Sequence, residues 1–269
     1  KFKTLTFSTL TMPTLNKNSP TLVSIITIVL NGEKSIEKTI NSVISQKYKH
    51  IEYIIIDGAS TDGTLEIIKK YNKHINNWIS EPDDGVYCAM NKGISLSNGD
   101  IIGIINSGDI YYESTIDLIV DAYNKNSDEL IIFGGMNRCL DNGSIIHHDM
   151  NEECVSLLNK KMSVFHPSTF VSSGAYLKYG MFDSEFYISG DYDFIKRVIN
   201  AGINYSIINN PLSLMESGGA SERPKLTLFL LDSIRLMRNF PLDSFYTCRV
   251  YLRQLLKEFF LLTVKFVLC

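Results

Sequence analysis

Little in this chain points to a metal cage or a disulfide framework. Its five cysteines, Cys88, Cys139, Cys154, Cys248 and Cys269, are odd in number and scattered, with no CxxC pair and no short spacing to paired histidines. That usage fits reduced thiols in a cytoplasmic protein. Basic residues are not in excess either: 26 Lys and Arg stand against 29 Asp and Glu, so nucleic acid is not an expected partner. The dinucleotide fingerprint GxGxxG is missing. The longest uncharged apolar run of the C-terminal region, FFLLTV, falls far short of the roughly 20 residues that span a bilayer. Lys1 to Pro20 is rich in Thr, Ser and Asn, without a continuous apolar segment behind a basic one. It reads as an N-terminal arm, residues 1–20, and not as a signal peptide.

What is present is an alternation of strand and helix patterns. Leu22 to Val29 (LVSIITIV) is β-branched and runs into Asn31-Gly32, after which Ile36, Ile40, Val43 and Ile44 recur at helical spacing. Ile51 to Ile56 predicts a second buried strand ending at Asp57-Gly58, followed by a helix with Leu65, Ile67, Ile68 and Tyr71. A third strand, Trp78 to Ser80, leads through Glu81-Pro82-Asp83-Asp84-Gly85 into a helix through Ala89 to Leu96. A fourth, Ile101 to Ile105, stops at Asn106-Ser107-Gly108-Asp109. Such alternation predicts a parallel sheet whose ligand lies beyond the carboxyl ends of the strands. Asp57, Asp62, Glu81, Asp83 and Asp109 all sit at such places.

Further on, Ser114 and Asp117 suggest a capping box before a helix with Ile116, Ile119, Val120 and Tyr123 on one face. Candidate strands are Ile131 to Phe133, Ser144 to His147 and Ser163 to Phe170. A helix from about Asp191 to Ala201 turns Phe194, Ile195, Val198 and Ile199 inward, with Gly202 as its C-cap. From Arg223 to Cys269 eight Lys or Arg and three Asp or Glu are interleaved with Leu and Phe. This predicts basic amphipathic helices that can lie on an anionic membrane face.

In order along the chain, VSIITIVLNGEKSIEKTINSVISQ, YIIIDGASTDGT, SEPDDGVYCAMNKGI and GDIIGIINSGD resemble the nucleotide-binding half of family 2 glycosyltransferases. HPSTF, SGDYDF and ESGGAS resemble acceptor-side motifs of the branch that builds bacterial surface polysaccharides. The resemblance implies an α/β fold of the GT-A type, with a mostly parallel, Rossmann-like central sheet and flanking helices, over residues 21–221. A helical C-terminal extension, 222–269, follows. It also implies an inverting transfer of a sugar from a nucleoside diphosphate, expected to be UDP, to a glycan or lipid-linked acceptor at the inner face of the cell membrane.

The resemblance assigns roles residue by residue. Asp57 meets the uracil ring, although its position alone suits equally a loop aspartate that binds backbone donors. Thr27, Asn31, Glu81, Asp83, Asn91, Lys92 and Asn106 complete the donor site, with Lys92 approaching a phosphate. Asp62 reads instead as a helix N-cap. Asn106-Ser107-Gly108-Asp109 fills the slot of the DxD metal motif with an amide and a glycine in place of two carboxylates. Asp109 is then the expected ligand of Mg²⁺ or Mn²⁺, whose shell waters and phosphates complete. His166 in HPSTF is a further candidate ligand, and Asp191 in SGDYDF is the expected general base. The loop Glu216 to Ser221 is expected to close over the diphosphate, with Arg223 beyond it. Cys88 stands where relatives carry aspartate, which keeps open a degenerate nucleotide- or glycan-binding scaffold. A sugar nucleotidyltransferase is the other alternative, but the Gly-rich basic loop it needs after the first strand is missing.

Overall fold

The first strand, β1 (Val23–Val29), is buried along its whole length, Ser24 and Thr27 included, as a strand with parallel neighbours on both sides and both faces covered is. Around it the structure, a computed structural model, describes residues 20–126, 130–216 and 226–240. The arm before Pro20, the loop 217–225 with Gly218, Gly219 and Arg223, and residues 241–269 lie outside the described residues.

After β1 come α1 (Ile36–Ile44), β2 (Ile51–Asp57), α2 (Thr64–Lys70), β3 (Asn77–Ser80), α3 (Val86–Leu96) and β4 (Ile101–Asn106). The second half adds β5 (Ile110–Tyr111), α4 (Thr115–Asn124), β6 (Leu130–Cys139), β7 (Ile145–His148), α5 (Glu152–Ser156), β8 (Thr169–Ser172), α6 (Ser173–Tyr179), α7 (Gly190–Asn200), β9 (Asn204–Met215) and α8 (Leu226–Asn239). The described strands form one sheet in the order β3-β2-β1-β4-β8-β6-β9-β5, with β7 on β6.

The β3-β2-β1-β4 half is parallel, as its helix-linked strands predict. Beyond β4 the sheet is mixed: β8 runs antiparallel to both β4 and β6, while β6 and β9 are parallel. Register decides where ligands can go. Val29 pairs with Asp57, Asp57 with Ser80, and Ile28 with Asn106, so four loops leave the sheet from one row.

Strand alternation divides the core. Ile26 and Ile28 face α3 and α7 with Met90, Ile94, Phe194 and Val198. Val23, Ile25 and Val29 face α1, α2 and α4 with Ile36, Ile40, Ile68, Ile116 and Ile119. Leu236 of α8 belongs to the first layer and Phe240 packs against it, so the start of the C-terminal extension shares the core of the domain.

Three local expectations change. Ser114 makes no side-chain cap bond at the start of α4. The strand expected from Ser163 begins only at Thr169, because His166–Ser168 forms a 3-10 turn around Pro167. The long strand β9 escapes periodicity because Asn209-Asn210-Pro211 interrupts it and its register against β6 shifts at Gly134 and Gly135.

Candidate active site

The loops after β1 and β2 are tied by one hydrogen-bonded chain. Asp57, fully buried, accepts the Ser60 amide at 3.0 Å and the Ser80 hydroxyl at 2.6 Å on Oδ2, and the Ser60 hydroxyl on Oδ1. Ser60 Oγ in turn accepts the Asn31 amide at 2.7 Å, and Asn31 Oδ1 accepts the Thr61 amide at 2.9 Å. Asn31 pays for this with a left-handed backbone, φ 53°. Asp62 is not itself the N-cap of α2, which is Gly63; it lies one residue earlier, where its Oδ1 accepts the amide of Thr64, the first residue of the helix, at 3.1 Å.

Beside this network Leu30 is 65% exposed, although it directly follows a buried strand. A Cβ on Gly58 would lie 3.5 Å from Leu30 Cδ1 and 3.7 Å from Asp83 Oδ2, so these two side chains flank the same turn. Asp83 Oδ2 is buried without a hydrogen-bond partner. An exposed apolar face next to an orphaned carboxylate oxygen suits a planar ring bearing hydroxyl donors. Leu30 is no sequence candidate; its only signal is an apolar residue past the end of its strand.

Lys92 does not stand free for a phosphate. Its ammonium lies 2.6 Å from Glu81 and 2.7 Å from Asp83, bridging the loop between β3 and α3. Burial opposes its charge, but the hydrogen bonds from Asp83 and Glu81 outweigh that and hold its pKa above the ordinary lysine value. Thr27 and Asn91 also leave the donor site. Thr27 is fully buried within β1 on the α1 side of the sheet, its hydroxyl 3.1 Å from that of Tyr53, short of the row where the loops begin. Asn91 spends both ends of its amide on Phe182, donating to its carbonyl at 2.8 Å and accepting its amide at 3.1 Å.

At the end of β4 the turn Asn106 to Asp109 seats on α1. Thr39 Oγ1 donates to the Asp109 carbonyl at 2.8 Å and accepts the Gly108 amide at 2.9 Å, while Ser35 and Ser107 hydroxyls meet at 2.9 Å. Gly32 is needed for that approach, because a Cβ there would fall 2.5 Å from Val29 and 2.7 Å from Ser107. Asp109 is 6% exposed. Burial pushes its carboxyl up to about 7; the Glu216 amide donates to it and pulls it down, while the Glu216 charge pushes it further up. Lys38 pairs with that Glu216 carboxylate at 2.6 Å.

Asn106 Oδ1, on the same turn, is buried with no partner. An orphaned amide oxygen and a carboxyl group are hard oxygen donors that fit part of a Mg²⁺ or Mn²⁺ shell. Among the described residues no group of three or more His, Cys, Asp or Glu side chains gathers into a full cation site. His166 is not drawn into such a group: its ring meets Phe182 edge-on at 6.2 Å, and the Asp191 charge reaches it. Burial holds its pKa below the ordinary histidine value.

Asp191 sits in the first turn of α7. Its Oδ1 accepts the Tyr192 amide at 2.8 Å and lies 3.3 Å from the Tyr87 hydroxyl, which donates to the Ile188 carbonyl at 2.6 Å. Burial raises the Asp191 pKa; His166 and these hydrogen bonds oppose the rise without cancelling it. Gly190 lets α7 lie on the Tyr87 ring, since a Cβ there would come within 2.8 Å of it. Asp193 turns away, its Oδ1 accepting from Asn239 at 2.7 Å and its Oδ2 lying 3.7 Å from Arg197. A cleft of about 500 Å³ opens on that side, lined by Met181, Phe182, Asp183, Asp193, Arg197, Asn239 and Phe240. Cys88, beside Tyr87, is a half-buried free thiol.

The chain is similar to known proteins in sequence and in fold. An uncharacterized glycosyltransferase of Mycobacterium tuberculosis is 32% identical over 183 residues, covering 67% of this chain and 69% of its own. The crystal structure of S. aureus TarS 1–349 in complex with UDP-GlcNAc superposes with a TM-score of 0.65 at 16% identity, over 86% of this chain and 70% of that one. A mannosyltransferase from Pyrobaculum calidifontis, solved with GDP-Man and Mn²⁺, superposes with a TM-score of 0.60 at 14% identity, over 83% and 64%. These structural neighbours are GT-A glycosyltransferases and share the fold. Residues 24–184 match the model of glycosyl transferase family 2, and the chain belongs to that family.

Proposed function

We propose that this glycosyltransferase inverts the anomeric centre while moving a sugar from a UDP donor to a glycan or lipid-linked acceptor in surface polysaccharide synthesis. The observation that carries the reading is the setting of Asp191, a carboxylate whose pKa burial raises, held at the start of a helix by Tyr192 and Tyr87. A raised pKa makes it a stronger base. Its carboxylate takes the proton of the acceptor hydroxyl as that oxygen attacks the anomeric carbon and the diphosphate leaves in a single displacement.

The nucleoside lies over the loops of Asn31 and Asp57, with Leu30 as an apolar face and Asp83 Oδ2 accepting from a hydroxyl. Glu81 acts through Lys92, and Lys92 through the loop it holds. Asn106 and Asp109 would hold Mg²⁺ or Mn²⁺ together with the phosphates. A bound divalent cation neutralises charge developing on the diphosphate. UDP-GlcNAc in the TarS structure and Mn²⁺ in the mannosyltransferase support this donor class and cofactor.

Among the described residues no helix is long and apolar enough to cross a membrane. Leu231 and Ile234 of α8, 44% and 60% exposed, share the helix with Arg238 and support contact with an anionic membrane on its cytoplasmic face. Co-sedimentation with anionic but not neutral vesicles tests that contact.

Calorimetric titration with UDP, with and without Mn²⁺, tests the donor site on wild type and Asp109→Ala. Binding that needs the cation and is lost in Asp109→Ala is expected; tight binding of GDP alone overturns the UDP assignment. Asp191→Asn is expected to lower kcat about 10² to 10⁴-fold with UDP affinity kept. Wild-type turnover in that variant overturns the base assignment.

A further inference from the structure

Asp232 belongs to α8, in the stretch that composition sets apart as a basic extension. Its carboxylate is 1% exposed and accepts three consecutive backbone amides: Tyr187 at 2.9 Å on Oδ1, then Ile188 at 2.7 Å and Ser189 at 2.9 Å on Oδ2. Arg235, a turn further along α8, lies 3.8 Å from Oδ1 and 5.4 Å over the Tyr187 ring, and donates to the Glu185 carbonyl.

The turn so gripped ends at Ser189, directly before Gly190, where α7 begins. It is held from a second side as well, because Tyr87 donates to the carbonyl of Ile188 and its ring packs against Gly190. Asp191 therefore starts from a backbone whose amides are fixed by α8 and whose carbonyl is fixed by α3. A carboxylate that takes three amides on two oxygens orients the peptide planes in a way one neutral acceptor cannot, since charged hydrogen bonds are shorter and stronger.

We propose that Asp232 is a positioning residue for sugar transfer: it sets the 187–189 turn and through it the carboxylate of Asp191, which makes α8 part of the catalytic unit. This rests on the reading of Asp191 as the base. Displacing a reacting group by about 1 Å costs on the order of 100-fold in rate, so the effect belongs in kcat and not in donor affinity.

The test compares wild type, Asp232→Asn, Arg235→Gln and Asp191→Asn in the full chain. Nucleoside diphosphate release from UDP-GlcNAc, UDP-glucose and GDP-mannose is followed across pH, with UDP affinity by calorimetry and amide exchange of residues 187–192. Asp232→Asn keeps the side-chain volume but turns an N–H donor toward backbone donors. It is expected to lower kcat about 30- to 100-fold, leave donor KM and UDP affinity within about threefold, shift the acidic limb of kcat and speed exchange at 187–189. Arg235→Gln leaves the buried carboxylate in place and is expected to change the same quantities in the same direction by about three- to tenfold.

Wild-type kcat in Asp232→Asn, or a loss confined to donor KM, overturns the proposal. If Asp232→Asn does not fold, Arg235→Gln decides, and wild-type kcat there overturns it too. The two readings separate through Asp191→Asn: an inactive Asp191→Asn beside a fully active Asp232→Asn removes only the positioning role. A fully active Asp191→Asn removes the base assignment and the positioning role with it.

Discussion

The Tyr87 hydroxyl reaches Asp191 Oδ1 at 3.3 Å across 104 residues of chain, while its proton goes to the Ile188 carbonyl at 2.6 Å. One phenol thus joins α3 to the first turn of α7. Tyr87→Phe keeps the ring but strips the buried carbonyl of its donor, a loss of about 1–3 kcal/mol. Urea unfolding is expected to register that loss, and kcat to fall about tenfold with donor KM little changed. Unchanged stability would mean that water replaces the hydroxyl.

Gly190→Ala tests the same contact from the other side. The added methyl would meet Cε2, Cδ2 and Cζ of the Tyr87 ring at 2.8–2.9 Å, so the ring or α7 must shift. Overpacking of this kind costs about 1–3 kcal/mol. Removing the ring by Tyr87→Ala should relieve it. A double-mutant cycle is expected to give a coupling well above the scatter of independent sites, and simple additivity would refute the packing argument.

Asp109 makes stability depend on pH in an unusual direction for a carboxyl group. Its folded pKa of about 7 lies above its ordinary value of 3.8, so between those values the folded chain holds the proton more tightly than the unfolded chain does. Stability from this group is therefore greatest at low pH and falls as pH rises through the window from about 4 to 7. Asp109→Asn is expected to flatten the decline of Tm across that window, read by differential scanning calorimetry in chelator. Binding of UDP with Mn²⁺ below pH 7 should release a proton, visible as a dependence of the calorimetric heat on buffer ionisation enthalpy. Equal heats in all buffers would show that Asp109 does not ionise on binding.

Lys92→Met tests the acidic loop between β3 and α3. The Glu81 pair it removes is exposed, at 55% of the Glu81 side chain, and contributes only about 0–1 kcal/mol, but the Asp83 side chain is 9% exposed and loses its cation in a buried setting. The variant leaves both carboxylates uncompensated beside the proposed anionic donor. UDP affinity is expected to drop about tenfold, the drop shrinking as salt is raised, and Tm to fall as well. Intact affinity would show that the acidic loop lies clear of the diphosphate.

Much of the parallel half was legible because its strands are short apolar runs bounded by turn residues, and its helices repeat at 3.6. Asp57, Asp83 and Asp109 stand where those runs stop, so a pattern of periods and endings finds them, whereas Asp191 was singled out only by the resemblance of SGDYDF to a family motif. Thr27, which the resemblance puts at the donor, is buried beside Tyr53, because a motif gives a residue's place along a strand but not the depth at which a site begins. Asn91 and Lys92 lie next to each other on α3, yet one is consumed by Phe182 and the other by Glu81 and Asp83.

What the sequence determined by itself is the alternation of strands and helices in the parallel half, the row of polar loops and the family, since these follow from local hydrophobic period and from motifs a few residues long. Only the tertiary structure decided that β8 joins β4 antiparallel, that Asn106 and Asp83 keep unpartnered oxygens, and that Asp232 closes on the turn before Asp191. The reason is physical: a hydrogen bond or a burial depth depends on which distant atom arrives within about 3 Å, and no local pattern of side chains encodes that arrival.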